Sequence, residues 1–247
     1  MYSSLAQVYI PSQHCTKRTA KIDTITIHHM AGNLSVETCG RIFQRPSRKA
    51  SANYGIGTDG RIACYVEEEY RAWTSSNRNN DNRAITIEVA NCGGEPDWKV
   101  SDYALESLIR LLVDVCIRND IPKLLWSNRK DWVGQIDKQN MTVHRWFSAT
   151  KCCGDYLLSK HYYIADRVNK ELGVIEKPTI KEEPFLVMVN TNVLNIRPTA
   201  GTDYDIVGTV IRGEVFTIVE TTKVGKMTWG KLKSGKGWIC LDYTIRR

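Results

Sequence analysis

The sequence predicts two folded parts, a mixed α/β domain followed by a small all-β barrel. Strand-like and helix-like segments alternate in the first part, a charged stretch with two prolines follows it, and only short β-type runs come after that stretch. At roughly 150 residues per domain, a chain of 247 residues is long enough for one medium and one small domain, each with its own core. We therefore predict a first domain at 1–172, a linker at 173–184 and a second domain at 185–247.

In the first part, segments with the residue pattern of strands alternate with segments in which apolar residues have helical spacing. β-branched runs predict strands, and the Asp59-Gly60 step predicts a hairpin turn between two of them. Apolar residues three or four positions apart predict amphipathic helices, the last of which ends near Gly173. The predicted strands are Ile25–His28, Tyr54–Gly57, Ile62–Val66 and Ala84–Ala90, and the predicted helices are Thr38–Gln44, Asp102–Asn119 and Tyr156–Leu172. We expect a mixed sheet flanked by helices.

The second part contains short β-type runs separated by Gly, Asn, Asp and Pro. This spacing is typical of a small all-β barrel, which has little room for a catalytic cavity. The predicted strands are Phe185–Val189, Leu194–Ile196, Ile206–Val210, Val215–Val219, Thr228–Leu232 and Gly237–Cys240. We therefore predict a binding role for this part.

Composition narrows the classes of function. The net charge of +7 is spread without a dense basic block, which argues against a nucleic-acid binder while favouring polyanions such as an anionic cell wall. No apolar run approaches the roughly 18–20 residues of a membrane span, and Met1–Gln13 lacks the pattern of a signal peptide. We expect no membrane insertion. We expect the eight cysteines to be reduced thiols, most of them small core residues, with a metal ligand among them as the alternative role.

Candidate chemistry is concentrated at three places. His28 and His29 end an early strand, where neighbouring side chains point to opposite faces, so only one imidazole enters a given site. His144 and Cys152 lie eight positions apart, and together with one strand histidine they make either an open three-ligand zinc site or ordinary core residues. Glu88 is a carboxylate on an otherwise apolar strand, where it is either functional or paired with a cation.

Five separated motifs occur in an order that resembles the zinc-dependent N-acetylmuramoyl-L-alanine amidases, a family that includes phage lysozyme-amidases and peptidoglycan recognition proteins. The motifs are ITIHHMAG, SANYGIGTDGRI, RAW, AITIEVAN and HRWFSATKCCGDYL, and the resemblance covers roughly Ile22–Leu172. It implies Zn²⁺ bound by His28, His144 and Cys152, with Glu88 as general base. The implied reaction is hydrolysis of the amide between N-acetylmuramic acid and the first L-alanine of the stem peptide.

The same resemblance implies substrate contacts and shows departures from the family pattern. The implied substrate-binding residues are Asn53, Arg71, Trp73 and Thr150, although Trp73 is equally typical of core packing. Ala52 stands where phage members have a Tyr, and Thr150 where they have a Lys, so the residue that stabilises the oxyanion stays open. Cys153 replaces the usual Pro after the ligand and is the alternative metal ligand.

The last part of the chain resembles a bacterial SH3 domain over Phe185–Arg247. The residues that carry this resemblance are Leu194-Asn195-Ile196-Arg197-Pro198, Gly213-Glu214, Trp229 and Gly237-Trp238-Ile239. Such domains commonly bind cell walls, and tethering one to a hydrolase raises the local substrate concentration. Peptidoglycan is therefore the expected partner, and the oligomeric state stays open.

A hydrolase joined to a wall-binding module resembles a phage endolysin. We expect synthesis in the host cytoplasm without a signal peptide and action on a Gram-positive wall after release. The alternatives are a bacterial autolysin and a peptidoglycan-binding recognition protein without catalysis. The presence of all three implied ligands argues against the last alternative.

Overall fold

The structure, a computed structural model, describes residues 1–174, 183–202 and 204–247. The chain divides into two compact units, Met1–Val174 and Ile175–Arg247. The predicted linker at 173–184 falls largely on residues 175–182, which lie outside the described residues, so the predicted domain limits stay a prediction. Within the described ranges, no helix has the length and apolar character needed to span a bilayer.

The first unit contains every strand and helix that the sequence predicts for it, with each end within two residues of the prediction. The strands are β1 (Val8–Tyr9), β2 (Cys15–Lys17), β3 (Thr24–His29), β4 (Tyr54–Ile56), β5 (Ile62–Cys64), β6 (Tyr70–Ala72), β7 (Ala84–Val89) and β8 (Met141–Thr142). The helices are α1 (Val36–Gln44), α2 (Arg78–Arg83), α3 (Asp102–Arg118) and α4 (Asp155–Glu171).

Six of these strands form a mixed sheet in the order β1-β5-β4-β7-β3-β8. The central strands β4, β7, β3 and β8 run parallel, whereas β4 and β5 form the predicted antiparallel hairpin. At its turn, Gly60 has a φ of 82°, a conformation that favours glycine. The predicted α/β class with flanking helices is confirmed.

The two faces of this sheet differ in chemistry because side chains alternate along each strand. On β3, Ile25 and Ile27 belong to the apolar core, which also contains the buried residues of α3 and α4. Their neighbours Thr24, Thr26 and His28 are equally buried but polar. One face therefore stabilises the fold, and the opposite face carries polar groups.

Hydroxyl and amide groups on the polar face bind one another. The Thr26 and Thr142 Oγ1 atoms are 2.8 Å apart, and Asn80 donates to Thr26 at 3.0 Å and accepts from Thr142 at 2.9 Å. Buried polar groups without partners are costly, so this network makes a polar face compatible with burial. The network also holds α2 against β3 and β8. His28 therefore follows Thr24 and Thr26 on a face whose position is fixed by these hydrogen bonds.

The second unit is all-β in its described residues. Its strands are β9 (Phe185–Val189), β10 (Val193–Ile196), β11 (Gly208–Ile211), β12 (Val215–Val224), β13 (Met227–Leu232), β14 (Trp238–Cys240) and β15 (Thr244–Arg246). A five-stranded antiparallel sheet has the order β14-β13-β12-β9-β15, and β10 pairs with β11. A backbone bridge between Arg197 and Trp238 joins the two sheets. The predicted all-β class is confirmed for this unit.

Three details of the second unit differ from the prediction. The strand predicted as Val215–Val219 extends to Val224 as β12, because its second half pairs with β13. The run predicted as Ile206–Val210 is a strand only from Gly208 to Ile211, and its first two residues, Ile206 and Val207, are more than half exposed. The short strand β15 was not predicted, since its three residues Thr244–Arg246 carry no clear alternation.

Candidate metal centre and active site

Three side chains predicted as metal ligands meet on the polar face of the first unit. His28 lies near the carboxyl end of β3, His144 begins a single 3₁₀ turn just after β8, and Cys152 lies in the loop before α4. One ligand atom from each lies within 4.8 Å of the other two. His28 Nδ1 and Cys152 Sγ are 3.4 Å apart, and the two imidazole centroids are 5.0 Å apart. The fold therefore brings together residues distant in sequence.

The free atoms of this group fit a zinc ion. The Nε2 atoms of His28 and His144 are buried and have no hydrogen-bond partner in the described part of the chain. Leaving a buried polar atom unsatisfied costs about 1–3 kcal/mol, which a metal ligand bond would offset. Two imidazoles and one thiolate are typical zinc donors, and three protein ligands leave one coordination position open.

Burial keeps the imidazoles in the form that binds metals. It lowers the pKa of His28 well below its ordinary value, and the neighbouring His144 and His29 lower it further. Burial also lowers the pKa of His144, against the opposing charge of Asp81. Both rings are therefore neutral near pH 7, whereas burial raises the pKa of the Cys152 thiol. Metal binding must then release the thiol proton.

Glu88 lies beside His28 on the neighbouring strand. The parallel register of β3 and β7 pairs these two residues directly. Glu88 Oε2 is buried and unpartnered among the described residues, so the alternative of a cation-paired strand carboxylate is not what this arrangement contains. Burial raises the pKa of Glu88 to about 8, and the charge of Arg48 opposes this shift. In its ionised form, a carboxylate with a raised pKa and an unpartnered oxygen is a strong base, so Glu88 is suited to accept a proton beside the three donors.

A family model described as N-acetylmuramoyl-L-alanine amidase (Amidase_2) matches residues 18–166, more than half of the chain. The chain belongs to this amidase family. A second model, described as bacterial SH3 domain, matches residues 192–243. Both resemblances that the sequence indicates are thus confirmed at the level of the family, and the amidase match contains the three donors and Glu88.

Solved structures to which the chain is similar include a catalytic domain, an amidase and a recognition protein. The catalytic domain of XlyA is 16% identical, covering 67% of this chain and 99% of that chain with a TM-score of 0.49. LysC from Clostridium intestinale URNW, an N-acetylmuramoyl-L-alanine amidase, is 16% identical, covering 68% and 97% with a TM-score of 0.45. Drosophila peptidoglycan recognition protein SD is 20% identical, covering 63% and 88% with a TM-score of 0.44. Comparison with curated proteins gives no match, so the family assignment rests on the match over residues 18–166.

Cys153 and His29, which are adjacent in sequence to two of the candidate ligands, lie outside the donor group. Both adjacent cysteines contact the apolar core of α3 and α4, but Cys153 is fully buried there and is absent from the donor group, whereas Cys152 belongs to it. His29 packs edge-on against Trp98, with ring centroids 5.0 Å apart. Of the two adjacent cysteines, Cys152 is therefore the one placed to bind a metal.

Asn53, predicted as a substrate contact, is instead fully buried in the amidase unit. Its amide nitrogen donates to the Val66 and Tyr70 carbonyl groups at 3.1 and 3.3 Å, and its Oδ1 accepts from the Thr86 amide at 3.1 Å. These bonds tie β4 to β7 and to the turn after β5. No group of the side chain is left for a substrate, so we leave Asn53 out of the proposed substrate contacts.

The other three predicted substrate contacts are at least partly exposed. Arg71 and Trp73 both donate to Thr16 on β2, with Arg71 Nη2 at 2.7 Å and Trp73 Nε1 at 3.4 Å. Thr150 is exposed, and its Oγ1 accepts the Cys152 amide at 3.2 Å. Arg71 and Trp73 therefore share one surface on the β2–β6 ribbon, whereas the Thr150 hydroxyl binds within the loop that carries Cys152.

Asp81 is a buried residue near the site that the sequence did not single out. Its carboxylate accepts the Thr74 amide at 3.0 Å and the Ser75 amide at 3.1 Å, and its charge acts on His144. Asp81 lies in the polar helix α2, where no apolar periodicity draws attention to it. The only available signal was a dense run of Asn and Asp residues between two predicted strands.

We expect the two adjacent cysteines of the amidase unit to respond differently to substitution by serine. Cys152→Ser removes a donor and should weaken zinc binding by more than the 10–100-fold typical of residues that only support ligands. Cys153→Ser should retain zinc but lower the free energy of unfolding, since it places a hydroxyl in the apolar core. Competition with a chromophoric chelator and urea unfolding measure the two effects. Loss of zinc only in Cys153→Ser would reverse the assignment.

Proposed function

We propose that the chain is a zinc-dependent peptidoglycan hydrolase. It cleaves the amide bond between N-acetylmuramic acid and the L-alanine of the stem peptide. The observation that supports this most strongly is the group of His28, His144 and Cys152, with unpartnered imidazole nitrogens, directly beside the uncommitted carboxyl of Glu88. Membership of the amidase family supports the assignment of this amide as the bond that is cleaved.

The chain's own residues divide the work of hydrolysis. His28, His144 and Cys152 would hold the zinc, which supplies a Lewis acid and lowers the pKa of water. Glu88 takes a proton from the attacking water as the new carbon–oxygen bond forms, and it returns this proton to the leaving alanine nitrogen as the carbon–nitrogen bond breaks. Arg71, Trp73 and Thr150 are the proposed substrate contacts.

The second unit is proposed to bind the cell wall. It contains a cavity of about 260 Å³ lined by Val193, Leu194, Asn195, Arg197, Trp229, Tyr243 and four further residues. Trp229 is only 3% exposed, and its Nε1 has no hydrogen-bond partner among the described residues. A cavity lined by both polar and apolar side chains, with an unused N–H donor on one of them, suits a peptide with a free carbonyl group, such as a wall peptide.

A phage endolysin that acts on a Gram-positive wall after release from the host cytoplasm is the proposed biological role. An autolysin would have the same chemistry, whereas a recognition protein without catalysis would lack part of the catalytic group. The presence of three grouped donors and an adjacent carboxyl favours a hydrolase. Location of the gene beside a holin gene would distinguish phage from bacterial origin.

Digestion of purified Gram-positive cell walls tests the reaction. We expect new N-terminal alanine without new reducing sugar ends, and we expect loss of the product after chelation and its return when Zn²⁺ is added. The assay measures free amino groups and reducing ends in parallel. Walls that are bound but not cleaved would move the assignment to a recognition protein.

Glu88→Gln should lower the rate of cleavage by about 10²–10⁴-fold, the usual contribution of a general acid–base group. The amide of glutamine keeps the size of the side chain but cannot take up the proton. Zinc content should stay at one ion per chain, because the donors are unchanged. A rate close to that of the unmodified protein, with zinc bound, would rule out Glu88 as the base.

Trp229→Phe should weaken binding to purified walls by about three- to tenfold, the equivalent of one hydrogen bond. The substitution retains an aromatic ring in the core and removes only the N–H donor. Glu88→Gln is included in all samples so that the wall stays intact during sedimentation assays. Trp238→Phe in the same unit is the matched control, because Trp238 does not line the cavity. Equal affinity of the two variants would exclude the Trp229 N–H group as a contact to the wall.

A further inference from the structure

Cys152 is the donor with the least support from regular structure. His28 is held by the backbone pairing of β3 with β7, and His144 by a 3₁₀ turn in which the Phe147 amide binds the His144 carbonyl at 2.9 Å. Cys152 lies between that turn and α4, in a loop without regular strand or helix bonds. Something other than secondary structure must therefore keep its thiol near the two imidazoles.

The guanidinium of Arg145 binds two carbonyls of this loop and the carboxylate of the first residue of α4. Its Nε donates to the Cys152 carbonyl at 3.2 Å, and its Nη2 donates to the Lys151 carbonyl at 2.6 Å. Its Nη1 donates to Asp155 Oδ1 at 3.2 Å, at the first residue of α4. A planar group with several fixed donors is suited to hold such a set of acceptors.

Arg145 also follows His144 directly in the 3₁₀ turn. Its side chain therefore ties the segment that carries one donor to the loop that carries another. The other contacts of the loop do not do this: the Thr150 hydroxyl binds the Cys152 amide within the loop, and Lys151 pairs with Glu95 on the surface. Among the contacts of the described residues, the Arg145 guanidinium is the side-chain link between the two segments.

We propose that Arg145 is a positioning residue that holds the Cys152 thiol against the two histidines and so sets the affinity of the centre for its metal. The inference rests on the proposed metal-dependent function. Arg145 contacts neither the metal nor the substrate in this role. Its hydrogen bonds explain how a loop without regular structure places a thiol at the distance that metal binding requires.

The test compares Arg145→Gln and Arg145→Lys in the full chain. We expect the affinity for Zn²⁺, measured by competition with a chromophoric chelator, to fall by about 10–100-fold in Arg145→Gln. The loss should be smaller in Arg145→Lys, because an ammonium group keeps the positive charge. Some loss should remain, since an ammonium group cannot reach two carbonyls and a carboxylate together. Absorption of the Co²⁺-loaded protein in the thiolate charge-transfer region should fall in the same order, which reports the sulfur ligand directly.

Arg167→Gln is the matched control. The side chain of Arg167 is 32% exposed, close to the 26% of Arg145, and it lies in the same unit on α4. It also binds a carboxylate, that of Glu106, but it does not contact the loop that carries Cys152. Its metal affinity and cobalt spectrum should equal those of the unmodified protein. If Arg145→Gln is poorly folded, Arg145→Lys carries the comparison.

Three outcomes would overturn the inference. Zinc affinity within twofold of the unmodified protein in Arg145→Gln, with an unchanged cobalt spectrum, would refute the positioning role alone. An equal loss in Arg167→Gln would show a general effect of removing a surface arginine. Failure of the unmodified chain to bind zinc or cobalt would instead refute the proposed function on which the inference rests.

Discussion

The alternation of side chains along β3 and β7 is the constraint on which both core and site depend. In parallel register, Ile27 lies beside Ile87 in the apolar core, and one position later His28 lies beside Glu88 on the opposite face. The same backbone pairing that buries the isoleucines therefore sets the spacing between the proposed metal ligand and the proposed base. Packing of α3 and α4 against one face holds the geometry of the other.

The polar face treats its buried groups in two different ways. The hydroxyls of Thr26 and Thr142 are satisfied by each other and by Asn80, which makes this part of the face rigid and chemically inert. Further along the same face, His28 on β3 and Glu88 on β7 have buried atoms without hydrogen-bond partners among the described residues. Because such atoms are costly, their concentration at one point of an otherwise satisfied face is the physical signature of a site that acts on something.

Sequence patterns were sufficient where a local signal was strong. The apolar spacing along Asp102–Arg118 predicted α3, and the Asp-Gly step predicted the hairpin after β4. The donor residues were predictable as types and by family resemblance, but periodicity alone could not show that a strand histidine meets a loop cysteine, since their contact arises from tertiary packing.

Short and polar elements were beyond the reach of sequence patterns. The helix α2 has no apolar face, and it forms because Asn77 caps it and Asn80 binds the sheet. Asn53 lies within a family motif, which suggested a substrate contact, yet its amide is used entirely by backbone groups and Thr86. A motif marks a position that matters without telling whether the reason is chemistry or folding.

The alternation in the central strands also limits how the chain can change over evolution. Insertion or deletion of a single residue within β3 would exchange its two faces, moving His28 towards the helices and Ile27 towards the polar side. Such a change would destroy the apolar core and the proposed active site together, because both faces of the strand depend on the same backbone register. Point substitutions on one face of these strands are therefore tolerable without loss of the other face, whereas changes of length have to be accommodated in connecting loops that carry none of the three proposed metal ligands.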